Sequence, residues 1–180
     1  MRKWNFRRRA KQHKRERKAF VPYEQIQTVV VLFESVGENE DHVYHDIIRQ
    51  LQQDGKQVRS FAYMEKSKNA LYHRENLTIL DKKQVNCLHL PEEHILEQVK
   101  NISCDVLFDF TSRCVLPLQY VMLYTDAKCR VGIECEKLLS PDFMIGAQPK
   151  DLKEGVNEKN DLNFLFGQML FYLKTIRTTL

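Results

Sequence analysis

The stretch IQTVVVLFE, residues 26–34, decides the fold. It is a near-continuous run of β-branched and other apolar residues, without the polar alternation of a strand that keeps one face in water. A strand of this kind is buried on both faces, as in a parallel sheet that is covered by helices on each side. The prediction of an α/β fold begins here.

Strand and helix patterns alternate along the rest of the chain. We predict further strands at 56–64, 85–90, 104–110 and 129–134, with a short one at 143–147, and helices at 38–54, 91–100, 117–125 and 161–178. Strands that alternate with helices imply crossover connections between parallel neighbours. We therefore predict a three-layer α/β domain with a mostly parallel, Rossmann-like sheet.

Charge divides the chain into two parts. Residues 1–20 carry ten Lys and Arg against a single acid, Glu16, whereas the remaining residues hold 18 basic and 23 acidic side chains. The formal net charge of +4 therefore combines a basic leader with a mildly acidic body. We predict a basic N-terminal helix or arm over 1–20 and one α/β domain over 21–180.

The cysteines and the hydropathy pattern bear on location. The five cysteines are odd in number, scattered, and never spaced as C-x-x-C, and the N-terminus lacks the apolar region of a secretory signal. No apolar run reaches the roughly 20 residues that a membrane-spanning helix needs. We predict a cytoplasmic protein with reduced thiols and no integral membrane segment.

Signatures of cofactor and metal sites are missing. The loop after the first strand, SVGENED at 35–41, has one glycine and three acids, which would repel a phosphate. His42 and His45 stand near Asp41 and Asp46, but a structural metal site wants about four ligands and a second dense cluster is missing. We predict neither a cofactor nor a metal.

One polar cluster follows a predicted strand at the edge where α/β proteins bind ligands. Asp109, Thr111, Ser112 and Arg113 end the stretch DVLFDFTSR, 105–113. These side chains could orient a polar ligand, because Arg can hold a carboxylate or phosphate and the others form hydrogen bonds. They could equally satisfy backbone amides at a strand end, and we favour that second interpretation.

The basic leader is the one feature whose composition demands an explanation. Its stretch RRRAKQHKRERK, 7–18, could neutralise several phosphates, and the predicted contacts are Arg7, Arg8, Arg9, Lys11, Lys14, Arg15, Arg17 and Lys18. RNA or the ribosome is the expected partner, and an anionic membrane face is a less favoured one. The alternative is a solubilising tail whose cations pair with the acidic body.

The predicted C-terminal helix is apolar on more than one side. One stripe holds Leu162, Leu165, Phe166, Met169, Leu173 and Ile176, while Phe164 and Phe171 lie off it. Such a helix needs two neighbours, within the fold or across a subunit interface. A homodimer through this helix is therefore a further hypothesis.

The stretch DVLFDFTSRCVLPLQYVMLYTDAKCRVGI, 105–133, resembles an uncharacterised family of small proteins from Bacteroidetes, a domain of unknown function. The basic leader, VVVLFE and Pro117 carry the same resemblance over nearly the whole chain. It implies no particular activity and no catalytic residues. The strand, helix and AKCRVGI are also similar in layout to the N-terminal half of heptosyltransferase-like glycosyltransferases, which place a nucleotide-sugar site largely in a second domain.

These features favour a non-enzymatic accessory protein whose basic arm contacts RNA, the ribosome or another polyanion. That function requires the cations of the arm to be free of the protein's own carboxylates. The competing hypothesis is a small-ligand-binding or transferase-like enzyme that uses the crevice near Asp109.

Overall fold

In the computed structural model of the protein, residues 1–13, 20–65, 74–146 and 158–175 are described. Their elements in chain order are α1 (Arg2–Gln12), a short 3-10 turn (Tyr23–Gln25), β1 (Thr28–Glu34), α2 (His42–Gln53), β2 (Gln57–Tyr63), β3 (Leu77–Leu80), α3 (Glu93–Lys100), β4 (Ser103–Asp109), α4 (Leu116–Tyr124), β5 (Asp126–Ile133), β6 (Phe143–Ile145) and α5 (Glu158–Thr175).

The strands form one sheet in the order β3-β2-β1-β4-β5-β6, and each neighbouring pair is parallel. This confirms the predicted α/β class and the Rossmann-like arrangement. The order reverses between β1 and β4, where ligands of this architecture usually bind, at the carboxyl ends of the strands.

The apolar run of β1, VVVLF at 29–33, lies in the middle of the sheet. Alternate side chains of β1 point to opposite faces, and residues 29–33 are all buried. Val31 and Phe33 belong to an apolar cluster that includes residues of α2 and α5, while Val30 and Leu32 join one that includes residues of α3 and α4. Burial on both faces explains why this strand has no polar alternation.

The predicted strand at 85–90 is wrong. This segment forms a tight turn, in which the Asn86 side chain accepts hydrogen bonds from the amides of Leu88 and Leu90, at 2.9 and 3.1 Å. His89 adopts a left-handed backbone conformation with φ of 58°. A local side-chain acceptor competes here with sheet pairing, and the edge strand β3 forms earlier in the chain.

Helix α1 packs on the outer side of α3 and α4. Phe6 has no exposed surface and joins a cluster with Leu96, Tyr120 and Leu123. Its ring meets that of Tyr120 edge-on, with 5.0 Å between centroids. The basic N-terminal segment is thus a helix fixed to the domain over the residues that the structure describes.

This packing explains the composition of α4. The helix LPLQYVMLY has no polar face, and residues 117–123 are all buried. Leu118, Val121 and Met122 face the sheet side, whereas Tyr120 and Leu123 are covered by α1 and its neighbours. A helix that is apolar all round needs a layer on each side, and α1 supplies part of the outer one.

Helix α5 confirms the predicted stripe in part. Leu165, Phe166, Met169 and Leu173 are buried against the sheet, and Ile176 lies outside the described residues. The side chains of Phe164, Phe171 and Tyr172 are exposed. No helix in the described parts of the chain combines the length and the apolar character that a membrane span requires.

The docking of α1 can be tested with two aromatic residues on opposite sides of the helix. We expect Phe6→Ala to lower the free energy of unfolding by about 3 kcal/mol or more, because it empties a packed position. Trp4→Ala removes a side chain that is 64% exposed and should cost less than about 0.5 kcal/mol. Urea unfolding followed by circular dichroism measures both, and equal effects would show that α1 is not packed in solution.

Candidate functional site

The inner side of α1 is held by polar contacts as well as by Phe6. The Arg9 guanidinium donates to the Tyr124 hydroxyl at 3.2 Å, a hydrogen bond that raises the pKa of Arg9. The His13 ring lies edge-on to Tyr124, with 5.3 Å between centroids. At the other end of the helix, Arg2 Nε donates to the Cys87 carbonyl oxygen at 3.0 Å. These contacts set the orientation of α1 on the domain.

The opposite side of α1 carries what we name the basic stripe: Trp4, Arg7, Arg8 and Lys11. The four side chains are exposed. Their spacing of three, four and seven residues from Trp4 places them on one face of the helix. Arg8 lies over the Trp4 ring, with its guanidinium carbon 5.9 Å from the ring centroid. The helix therefore presents three cations and an aromatic ring in one direction.

The cations of the basic stripe are free of internal ion pairs among the described residues. The ion pairs found there involve other cations, such as Arg49 with Asp46 and Lys100 with Glu93. No described carboxylate lies within ion-pair distance of Arg7, Arg8 or Lys11. Among the residues that the structure describes, these three cations therefore have no carboxylate partner within the protein.

The predicted contact residues are divided by this geometry. Arg7, Arg8 and Lys11 share the outward face, whereas Arg9 turns inward to Tyr124. The remaining four, Lys14, Arg15, Arg17 and Lys18, lie outside the described residues.

A cleft of about 420 Å³ runs beside the basic stripe, between α1 and α4. It is lined by Asn5, Arg8, Arg9, Gln12 and Tyr124. The Lys100 ammonium lies over the ring of Tyr124, 5.6 Å from its centroid. Arg8 and Arg9 thus line the cleft, and their positive charge suits an anionic ligand.

The carboxyl edge of the sheet holds the second predicted cluster. Asp109, at the end of β4, is 1% exposed and forms an ion pair with Lys137, with 2.8 Å between Oδ2 and Nζ. Its other carboxylate oxygen accepts hydrogen bonds from the Thr111 amide and hydroxyl, at 3.1 and 2.7 Å. Asp109 and Thr111 therefore fix the strand end and the Lys137 side chain from inside the protein.

Sequence reasoning missed Lys137. It lies in a segment after β5 and reaches a carboxylate 28 positions earlier in the chain. Gly132 is a partial signal, because a Cβ at this position would lie 2.7 Å from Pro141 and 3.1 Å from the Asp109 carbonyl oxygen. A glycine inside a strand often marks such a close approach, but it does not identify Lys137 as the partner of Asp109.

Arg113 is exposed but occupied. Its Nε donates to Glu34 at 2.9 Å, a second nitrogen contacts the other Glu34 oxygen, and the same nitrogen lies 3.0 Å from Glu65. The hydrogen bond with Glu34 is the main cause that raises the pKa of Arg113. A ligand anion at this edge would compete with these two carboxylates for Arg113.

Two adjoining clefts lie above this edge, beside the first residues of α1. Their volumes are about 290 and 330 Å³, and both are lined by Lys3, Arg113, Cys114 and Leu138. Ser112 and Cys135 line the larger one. Burial raises the pKa of the Cys135 thiol, so its nucleophilic thiolate form is disfavoured at neutral pH.

The two histidines of α2 lie in different environments. His42 is exposed, whereas His45 is buried and its ring lies edge-on to Phe33. Among the described residues no group of three or more His, Cys, Asp or Glu side chains is arranged to hold a metal ion.

Comparison with known families gives one result. A family model matches residues 1–176, almost the whole chain. The chain belongs to DUF6913, a family of unknown function. This confirms the predicted resemblance to a domain of unknown function. Comparisons with curated proteins and with solved structures find no significant match. The layout similarity to heptosyltransferase-like enzymes stays an interpretation of the sequence.

Membership in DUF6913 implies no activity, so the function depends on the surfaces of this chain. The carboxyl edge of the sheet and the basic stripe differ in how their charged side chains are paired. At the carboxyl edge, Asp109 and Arg113 are paired with other side chains of the protein. On the basic stripe, the described contacts leave the cations to solvent.

The buried pair can be tested by removing its cation. We expect Lys137→Met to lower the free energy of unfolding by about 3–5 kcal/mol, because it leaves the Asp109 carboxylate buried without a counter-ion. The double variant Asp109→Asn, Lys137→Met should recover part of this loss, since no charge is then stranded. Urea unfolding of the four proteins of this cycle gives the coupling, and a cost below about 1 kcal/mol for Lys137→Met would contradict the buried pair.

Proposed function

We propose that this chain is a non-enzymatic, cytoplasmic accessory protein that binds RNA, the ribosome or another polyanion through the basic stripe of α1. One observation carries the proposal: Arg7, Arg8 and Lys11 are exposed on a docked helix, without carboxylate partners among the described residues. Cations placed in this way neutralise phosphates and release the counter-ions that surround a nucleic acid.

Docking of α1 adds to this argument. A flexible basic tail must be ordered when it binds, and that ordering costs free energy. Phe6 and Arg9 already hold α1 against α4, so its outward cations have a defined spacing before the ligand arrives. Lys14, Arg15, Arg17 and Lys18 follow in the sequence and add four positive charges to the N-terminal segment.

The state of the carboxyl edge supports a non-enzymatic role. General acid–base or nucleophilic chemistry needs a titratable group that can reach a substrate. Here the Asp109 carboxylate is buried against Lys137 and the Arg113 guanidinium is held by Glu34 and Glu65. These charged groups support the fold of the strand ends.

The polyanion function is tested by fluorescence anisotropy with a labelled RNA over a range of salt concentrations. We expect Arg7→Gln combined with Lys11→Gln to weaken binding and to reduce the slope of log affinity against log salt by about 1.4, as for two lost phosphate contacts on a single strand. The matched control is Arg49→Gln combined with Lys174→Gln, which removes one exposed arginine from α2 and one exposed lysine from α5.

The control should bind as the unaltered protein does, since α2 and α5 pack on the face of the sheet opposite to α3 and α4. Equal weakening in both double variants would mean that only net charge matters. Unchanged affinity after substitution of the basic stripe would contradict the proposal.

The two clefts at the carboxyl edge support a second candidate, a small-ligand-binding protein or transferase-like enzyme. In this case Ser112 and Arg113 would contact the ligand, and Asp109 and Thr111 would position Lys137 beneath it. The same variants separate the two functions. Thermal stabilisation by inorganic phosphate, AMP or citrate should persist in the basic-stripe variant and vanish in Arg113→Gln if this candidate is correct.

A homodimer through α5 is proposed from its exposed aromatic side chains. Phe164 and Phe171 are 51% and 58% exposed, and apolar surface of this kind often marks an interface. Sedimentation velocity over a concentration series should show association, and Phe164→Ser combined with Phe171→Ser should abolish it. A sedimentation coefficient that does not change with concentration would contradict the dimer.

A further inference from the structure

Trp4 is the single tryptophan of the chain, and it lies in water. It is 64% exposed, whereas Phe6, on the opposite side of the same helix, is fully buried. Apart from Arg8, which lies over its ring, the structure shows no ring contact for it with a described residue. A large aromatic side chain held out among cations is the arrangement on which proteins stack unpaired bases.

The dimensions of the basic stripe suit a short length of one strand. Seven residues separate Trp4 from Lys11, which corresponds to about 10 Å along a helix. The Arg8 guanidinium carbon lies 5.9 Å from the centroid of the Trp4 ring, and a base stacked on the opposite face would place the indole between a guanidinium and a base. Arg7 and Lys11 lie on the same side of the helix, where they can meet the flanking phosphates.

The packing of α1 argues against membrane insertion. A helix that lies in a membrane surface buries a continuous apolar face in the lipid. The apolar side chains of α1 that could form such a face, Phe6 and Ala10, pack toward α3 and α4. On the basic stripe Trp4 stands alone among cations, which suits a base better than a lipid surface.

We propose that α1 binds single-stranded nucleic acid, with an unpaired base stacked on Trp4 and neighbouring phosphates on Arg7, Arg8 and Lys11. This inference rests on the proposed polyanion binding and adds the class of ligand. A duplex is excluded as the preferred ligand because its bases are already stacked and paired, and their faces are not accessible to Trp4.

Intrinsic fluorescence tests the inference directly, since the emission of the protein comes from Trp4 alone among tryptophans. A short single-stranded RNA oligonucleotide should quench this emission as it binds, whereas heparin, a polyanion without bases, should bind with little quenching. Trp4→Ala should weaken binding of the oligonucleotide roughly fivefold to a hundredfold, the effect of losing one stacked base. Its affinity for heparin should stay the same.

Trp4→Phe is the conservative control, because it keeps an aromatic face, and it should retain most of the affinity for the oligonucleotide. Trp4→Ala with full affinity for that strand, together with equal affinity for the duplex of the same sequence, would overturn the stacking while the proposed polyanion function stands. Failure of both RNA and heparin to bind would overturn the polyanion function itself.

Vesicles of phosphatidylserine and phosphatidylcholine complete the test. A shift of the Trp4 emission to shorter wavelength with these vesicles, without any response to the oligonucleotide, would overturn the inference in favour of an anionic membrane. A response to the oligonucleotide and none to the vesicles supports it.

Discussion

Burial of β1 on both faces is the constraint on which the rest of the structure depends. Val30 and Leu32 face one layer of helices, and Val31 and Phe33 face the other. A strand with no solvent-exposed face has to be covered on both faces, and this requires helices on both sides of a parallel sheet. The carboxyl ends of parallel strands all lie at one edge of the sheet. At this edge, Glu34 of β1 and Asp109 of β4 lie next to the point where the strand order reverses.

The chemistry of that edge follows from the closeness of its two carboxylates. Two carboxylates placed at neighbouring strand ends need cations, and the protein supplies Arg113 for Glu34 and Lys137 for Asp109. A buried charge that lacks a partner is costly, so Lys137 is required for stability beside Asp109, whereas the more exposed pair of Arg113 and Glu34 contributes less. At the edge where this architecture usually binds a ligand, the charged groups of Glu34, Asp109 and Arg113 are thus engaged within the protein.

Helix α1 shows the opposite arrangement. Its inward side contacts α4 through Phe6 and Arg9, and its outward side keeps Arg7, Arg8 and Lys11 in solvent. The same helix therefore belongs to the packed structure and offers a positive surface. Because the inward side of α1 is packed on α4, the cations of the outward side are held in fixed positions. The basic segment therefore forms a surface with a definite geometry.

The sequence alone determined the α/β class, most of the strands and helices, and the concentration of positive charge near the N-terminus, because apolar periodicity and composition are local properties. It placed a strand at 85–90 where Asn86 makes a turn, since the side-chain hydrogen bonds of that turn do not alter the hydropathy pattern. The tertiary structure decided which cations are free and which are engaged. Arg9 meets Tyr124 across 115 positions and Asp109 meets Lys137 across 28. Contacts between residues so far apart depend on how the elements pack, and no pattern within a single segment records them.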